Sequence, residues 1–261
     1  MNSIEDKNNE LSLEKKSLSR RELLANTALI GAGLVVSNLA GAATPQNFNA
    51  AEIPKRNIRK NKSENVLIIN AHQIYKGISA GRLNTTLVGV IQEEMEKFGC
   101  SVQHTAIEQG YNIDAEVQKH LWADLIILQS PVYWFNTPWI YKKYVDEVFT
   151  AAMLSGKFIT GDGRTREDSS KQYGTGGTLQ GKKYMVSLTW NAPEESFGDK
   201  NQRLFEGKTV DDVFVQNTAN YKFCGVEILP SFSCHDVMKN PKIDADIARL
   251  RKQLSAIFTN A

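Results

Sequence analysis

The chain has 261 residues, of which 41% are hydrophobic and 23% charged, the proportions of an ordinary folded protein. They argue against a disordered chain, a collagen-like fibre and a multi-span membrane protein. The formal net charge of +2 is too near zero to predict a nucleic-acid partner. Three cysteines without a CxxC pair argue against a disulfide scaffold and a structural zinc site, and the sequence predicts no metal site.

Residues 1–43 have the features of an export signal. Arg20 and Arg21 follow a serine and precede an uncharged run that ends in small residues at 40–42. The arginine pair resembles the twin-arginine motif of bacterial signals. We therefore expect the twin-arginine export machinery as a partner and a periplasmic or otherwise exported location. An uncleaved signal that anchors the protein in the inner membrane is the alternative.

Residues 44–64 are polar, contain two prolines and predict a flexible linker. A folded domain over 65–261 follows, in which strand and helix patterns alternate. The patterns predict strands at 65–70, 101–107, 124–130, 183–190 and 226–229, and helices at 84–98, 114–121, 138–153 and 245–258. Such alternation predicts an α/β fold with a doubly wound, five-stranded parallel sheet and helices on both faces.

Parallel strands end at one edge of a sheet, so the loops at 70–86, 130–138 and 189–199 are expected to gather there. The first loop joins a strand to a helix and offers hydroxyls, glycines and free helix N–H groups, which suit a phosphate. It matches neither GxxxxGK[ST] nor GxGxxG, which argues against a Walker nucleotidase and a Rossmann site. A helix that is merely capped by Asn84 is the alternative.

The second loop carries four aromatic residues within seven positions, Tyr133, Trp134, Phe135 and Trp139. Aromatic faces and backbone N–H groups suit a flat, electron-poor ring. A hydrophobic plug or a subunit interface would have the same composition. The third loop, at 189–193, adds an aromatic and an amide residue to the same edge, unless it simply turns at Pro193.

Three further groups of residues have weaker patterns. The segment 161–177 is long, basic and rich in glycine, which is typical of a flap over a ligand but also of an exposed loop. Asp211 and Asp212 lack a cluster of further ligands and predict a solvated helix start. His104 and His120 are expected to be packing or surface residues, whereas His72 lies in the first loop, within reach of a phosphate.

Several segments in collinear order resemble the modulator of drug activity B family. They are SAGRLNTT, WADLIILQSPVYWF, PWIYKKYVDEVFT, GDGRTR, KQYGTGG and QGKKYMVSLTWNAP, and the match runs from about residue 65 to 258. The family consists of FAD-dependent NAD(P)H:quinone oxidoreductases of flavodoxin-like fold that form dimers. The resemblance therefore implies FAD, NADPH or NADH as reductant, a small-molecule quinone as substrate, a homodimer and two-electron, ping-pong hydride transfer.

The resemblance also implies which residues form the site. The FAD phosphates and ribityl chain would bind at Ser79, Ala80, Gly81, Arg82, Leu83, Asn84, Thr85 and Thr86. The isoalloxazine would lie on Val132, Tyr133, Trp134 and Phe135, where the family more often has glycine and tryptophan in place of Val132 and Tyr133. The pocket would be completed by Tyr173, Thr189, Trp190, Asn191 and Ala192, with Tyr173 as the candidate catalytic proton donor or orienter.

Two other functions stay open at this point. The first is a flavin-binding electron-transfer protein without quinone turnover of its own, which would need the same sheet and phosphate loop. The second is a domain that takes no cofactor and serves only for subunit contact. Two aromatic loops and a long flap favour an enzyme that admits two flat substrates.

Overall fold

The computed structural model describes residues 64–259. The predicted export signal at 1–43 and the predicted linker, apart from its last residue, lie outside the described residues. Among residues 64–259, no helix is both long enough and apolar enough to cross a membrane.

The described chain alternates strands and helices. The strands are β1 (Asn65–Asn70), β2 (Ser101–Ala106), β3 (Leu125–Pro131), β4 (Lys183–Thr189), β5 (Glu227–Ile228) and β6 (Phe232–Cys234). The helices are α1 (Arg82–Lys97), α2 (Ile113–Trp122), α3 (Trp139–Leu154), α4 (Val210–Val213), α5 (Val215–Phe223) and α6 (Ile243–Thr259). All nine predicted elements are confirmed to within two residues at each end. The helix start predicted at Asp211 and Asp212 is also confirmed, as the first turn of α4, whereas α5 and β6 were not predicted.

The strands form one parallel sheet in the order β2–β1–β3–β4–β5, and β6 also pairs with β4. The start of β4 pairs with β5 at Lys183 and Glu227, and its end pairs with β6 at Thr189 and Cys234. The two short strands therefore share the fifth position of the sheet. They are interrupted at 229–231, where Pro230 cannot donate a ladder hydrogen bond. The predicted doubly wound, five-stranded sheet is confirmed.

Two hydrophobic cores cover the two faces of the sheet. Val66 and Ile68 of β1 point into a core with α1 and α6, whereas Leu67 and Ile69 point into a core with α2, α3 and α5. Strand side chains alternate between faces, so a strand that is buried on both sides must be apolar throughout. This requirement explains the continuous apolar runs in β1 and β3.

The parallel arrangement defines two edges. β1, β3 and β4 end at the carboxyl rim, which we define as the loops 71–81, 132–138 and 190–193. The segment 155–182 joins the end of α3 to the start of β4 and therefore lies at the opposite, amino edge. There, the Lys182 Nζ donates to the carbonyl oxygen of Leu121 at 2.7 Å.

A buried histidine anchors α5 to the core. His120 Nδ1 lies 2.9 Å from the carbonyl oxygen of Glu116, which can only accept, so this nitrogen carries the hydrogen. His120 Nε2 therefore accepts from the Tyr221 hydroxyl of α5 at 3.1 Å. Tyr221 also stacks on Tyr184 of β4, with 3.7 Å between ring centroids. Burial lowers the pKa of His120 to about 4, so the packing role expected for His120 is the one observed.

This burial predicts a pH dependence of stability. The pKa of His120 falls from 6.5 to about 4 on folding, so its neutral form stabilises the fold above about pH 6.5. That contribution, about 3.5 kcal/mol in full at about 1.4 kcal/mol per pH unit, is lost as the pH falls from 6.5 to 4. In urea unfolding, we expect the stability difference between the native protein and His120→Gln to shrink from pH 6.5 to 4. A difference that is independent of pH would contradict the buried neutral imidazole.

Candidate functional site

The first rim loop folds over a buried histidine. His72 Nε2 lies 3.1 Å from Ser79 Oγ, and His72 Nδ1 lies 3.9 Å from Glu108 Oε2. Burial lowers the pKa of His72, which favours the neutral imidazole. The loop is closed by paired main-chain hydrogen bonds between Tyr75 and Ser79, of 3.0 and 2.8 Å. The loop is thus held in a defined shape beside the start of α1.

The start of α1 offers free main-chain donors. Its N-cap is Gly81, with a φ of 74°, and no side chain caps the helix. A Cβ at Gly81 would lie 2.5 Å from two atoms of the His72 ring, so the loop backbone packs directly on the imidazole. Within residues 64–259, the first-turn N–H groups of 82–84 have no protein acceptor. Such groups, at the positive end of a helix dipole, suit an anion.

Asn84 anchors α1 to the sheet. Its side chain is buried, and Nδ2 donates to Asn70 Oδ1 at 2.6 Å. Asn84 Oδ1 accepts from Gln129 Nε2 of β3 at 3.0 Å. The alternative in which Asn84 caps the helix is wrong, because α1 begins two residues earlier with Gly81 as its N-cap. Only the main chain of Asn84 is available to a ligand, and Leu83 is likewise packed against the core of α1 and α6.

The second rim loop is a tight aromatic turn at 133–136, which we call the aromatic turn. Tyr133 and Asn136 exchange main-chain hydrogen bonds of 2.8 and 3.2 Å. Between them, Trp134 has a φ of 50° and Phe135 a φ of 67°. Within the described chain, the N–H groups of these two residues have no acceptor, and the Trp134 side chain is 93% exposed. The turn therefore presents free donors beside exposed aromatic surface.

The third rim loop is joined to the second and to β6. The N–H of Val132 donates to the carbonyl oxygen of Thr189 at 3.0 Å, and the N–H of Trp190 donates to that of Cys234 at 2.8 Å. Trp190 is only 1% exposed and packs against aromatic rings of the segment that follows it, Phe197, Phe205 and Phe214. Its indole therefore faces the core rather than the rim, and only its main chain lies there. Asn191 is exposed, and Ala192 is half-buried.

The structure does not bring Tyr173 to the carboxyl rim. Tyr173 lies in the segment 155–182 at the amino edge, where its ring centroid is 5.1 Å from that of Phe223 at the end of α5. This segment is closed at its base by an antiparallel bridge between Ile159 and Gly177. The N–H of Gly174 also donates to the carbonyl oxygen of Asp162 at 2.7 Å. The predicted flap is therefore an anchored loop, and a role for Tyr173 at a rim requires a second chain.

A cavity of about 660 Å³ opens beside the aromatic turn. One wall is aromatic and includes Tyr75, Tyr133, Trp134 and Trp139, whereas α5 contributes the amides of Gln216, Asn217 and Asn220. Among the described lining residues, none is an aspartate or a glutamate, and Lys142 adds a positive charge, so the cavity suits a flat molecule with polar acceptors that is neutral or negatively charged. The α5 residues were missed because the sequence analysis did not predict this helix. Its one sequence signal is the Thr209 capping box just upstream.

Two glycines in the first loop allow a matched test of the His72 contact. Gly77 and Gly81 have similar φ values of 77° and 74°, but only a Cβ at Gly81 would meet another group. We expect Gly77→Ala to lower the free energy of unfolding by about 1–2 kcal/mol through backbone strain. Gly81→Ala should lose about 1–3 kcal/mol more through overlap with His72, and adding His72→Ala should recover part of it. Equal losses in urea unfolding of the two alanine variants would contradict this packing.

Comparison with known proteins places this site in context. A family model described as the flavodoxin-like fold matches residues 64–258. The NADPH:quinone oxidoreductase MdaB of Haemophilus influenzae is 41% identical over 194 residues, which cover 74% of this chain and 99% of that protein. An uncharacterised protein of Schizosaccharomyces pombe is 38% identical over 196 residues, which cover 75% and 98%. A putative quinone reductase structure from Klebsiella pneumoniae shares the fold, with a TM-score of 0.61, 23% identity and coverage of 76% and 86%.

Proposed function

We propose that this chain, which belongs to the flavodoxin-like family of the NADPH:quinone oxidoreductase MdaB, is an FAD-dependent NAD(P)H:quinone oxidoreductase. The observation that carries the proposal is the convergence of two sets of free main-chain donors at one rim. One set lies at the uncapped start of α1, and the other lies in the aromatic turn. Two-electron, ping-pong reduction of a quinone is part of the proposal.

The rim residues fit a flavin. The free N–H groups of 82–84 and the Ser79 hydroxyl suit the phosphates. The free N–H groups of Trp134 and Phe135 suit the polar edge of a heterocycle, beside aromatic surface for its face. The choice of FAD over FMN rests on the sequence resemblance.

A bound flavin would supply the chemistry, by accepting a hydride from NAD(P)H and passing it to the quinone. The protein binds and orients the reactants. The Tyr133 hydroxyl donates to the carbonyl oxygen of Gln73 at 3.1 Å, which ties the first loop to the aromatic turn. Burial raises the pKa of Tyr133, so this donor stays protonated. The exposed face of Trp134 would cover one side of the reacting rings and keep water from it.

The proposed homodimer is the arrangement in which Tyr173 could serve as proton donor or orienter. Tyr173 is 67% exposed at the amino edge, so it can reach a carboxyl rim only from another copy of the chain. Arg164 lies over its ring, 5.3 Å from the centroid, and would orient it.

Steady-state kinetics test the function directly. We expect the FAD-loaded protein to oxidise NADPH or NADH with a benzoquinone, one reductant per quinone. Trp134→Ala should weaken FAD binding by about tenfold, or about 1.4 kcal/mol of lost aromatic contact. Leu154→Ala is the control, because it removes a side chain that is 80% exposed at the end of α3, on the amino edge. Flavin that is reduced in titration without quinone turnover would indicate an electron carrier, and protein that takes up no flavin would overturn the proposal.

Export through the twin-arginine route is a further part of the proposal and rests on the sequence of residues 1–43. Fractionation with N-terminal sequencing should find a periplasmic protein that begins near Ala43. A membrane-bound protein that keeps Arg20 and Arg21 would indicate the anchored alternative, with the domain on the side where nicotinamide cofactors occur. A protein in the cytoplasm that keeps the signal would contradict both.

A further inference from the structure

We propose that Asn217 of α5 is a positioning residue that holds the aromatic turn in its ligand-binding shape. The inference rests on the proposed function and goes beyond it, because it assigns a role to a helix that the sequence pattern did not reveal. Asn217 is 81 positions from Asn136 in the chain, and its contact with the turn exists only in the folded structure.

The aromatic turn has a backbone conformation that its own residues disfavour. Trp134 and Phe135 both have positive φ values, of 50° and 67°, a region in which turns of this kind usually have glycine or asparagine. The Trp134 side chain is almost fully exposed and provides little packing in return. Among the described residues, Phe135 has one aromatic contact, edge-to-face with Phe205 at 6.0 Å between centroids. Contacts outside the two strained residues must therefore maintain the turn.

Asn217 supplies such a contact at the end of the turn. Its side chain is 5% exposed, and its Nδ2 donates to Asn136 Oδ1 at 2.9 Å. Asn136 Oδ1 also accepts from Thr137, through its N–H at 2.8 Å and its hydroxyl at 3.4 Å. These donors fix the Asn136 side chain, and with it the residue that closes the turn, and Asn217 is the one among them that comes from another element. Tyr133 holds the other end through its hydroxyl bond to the main chain of Gln73.

The position of Asn217 is itself set by the core. One turn of α5 further on, Tyr221 stacks on Tyr184 and donates to His120. Since these partners are fully buried, α5 is a rigid support for the turn. If Asn217 is removed, Asn136 Oδ1 keeps the donors of its neighbour Thr137, which moves with the loop, and loses the tie to α5, so the turn can relax towards negative φ. Relaxation would redirect the free N–H groups of Trp134 and Phe135, which the proposed function uses for the flavin ring.

The same helix offers a matched control. Thr218 is next to Asn217 on α5 but is not among the described residues that line the cavity, and its hydroxyl donates to the carbonyl oxygen of Val215 at 3.1 Å. We expect Asn217→Ala to raise the dissociation constant for FAD at least tenfold, and Thr218→Ala to change it less than about twofold. Asn217→Leu, which keeps the side-chain volume without the donor, should match Asn217→Ala. FAD affinity is measured by quenching of flavin fluorescence, with circular dichroism to establish that each variant is folded.

A double-variant cycle separates positioning from a general loss of structure. Phe135→Gly relieves the positive-φ strain, so in that background Asn217→Ala should weaken FAD binding by a clearly smaller factor. An equal factor in both backgrounds, or folded Asn217 variants with native affinity, would overturn the inference while the proposed function stands. If the native protein binds no FAD, the proposed function fails, and this inference fails with it.

Discussion

The parallel register of β1, β3 and β4 is the constraint on which the rest of the structure depends. It sets Asn70 beside Gln129 and Gln129 beside Ser187, so the three strands end at the same edge within two residues of one another. The loops that follow must then start from that edge, because the strands run in the same direction. The uncapped start of α1 and the aromatic turn lie at one edge of the sheet for this reason, although about 50 residues separate them in the chain.

Side chains and main chain have different roles at the rim. The buried side chains of His72, Asn84 and Asn217 are hydrogen-bonded within the protein and hold the loops in place. The groups left free for a ligand are main-chain N–H groups, at the start of α1 and in the aromatic turn. Donors of this kind are preorganised, since they need no side-chain rotamer to be ordered on binding.

The fold was largely readable from the sequence because strands buried on both faces must be continuously apolar, as in β1 and β3. The site was readable only in part. Trp190 was expected at the rim, but its side chain points to the face that the later segment 197–214 covers with phenylalanines. Tyr173 was expected beside the flavin, but its segment starts from a helix end and so lies at the amino edge. The contact of Asn217 with the aromatic turn joins residues far apart in the chain, and neither residue's local sequence reveals it.

In the proposed complex, a flavin is held at the carboxyl rim by main-chain donors. A crystal structure of the protein with FAD bound tests it most directly. We predict the phosphates at the N–H groups that begin α1, and the ring against 132–135 with Trp134 and Phe135 still at positive φ. A flavin bound elsewhere on the chain, or a ring held at the rim by side chains alone with the aromatic turn relaxed, would contradict the account.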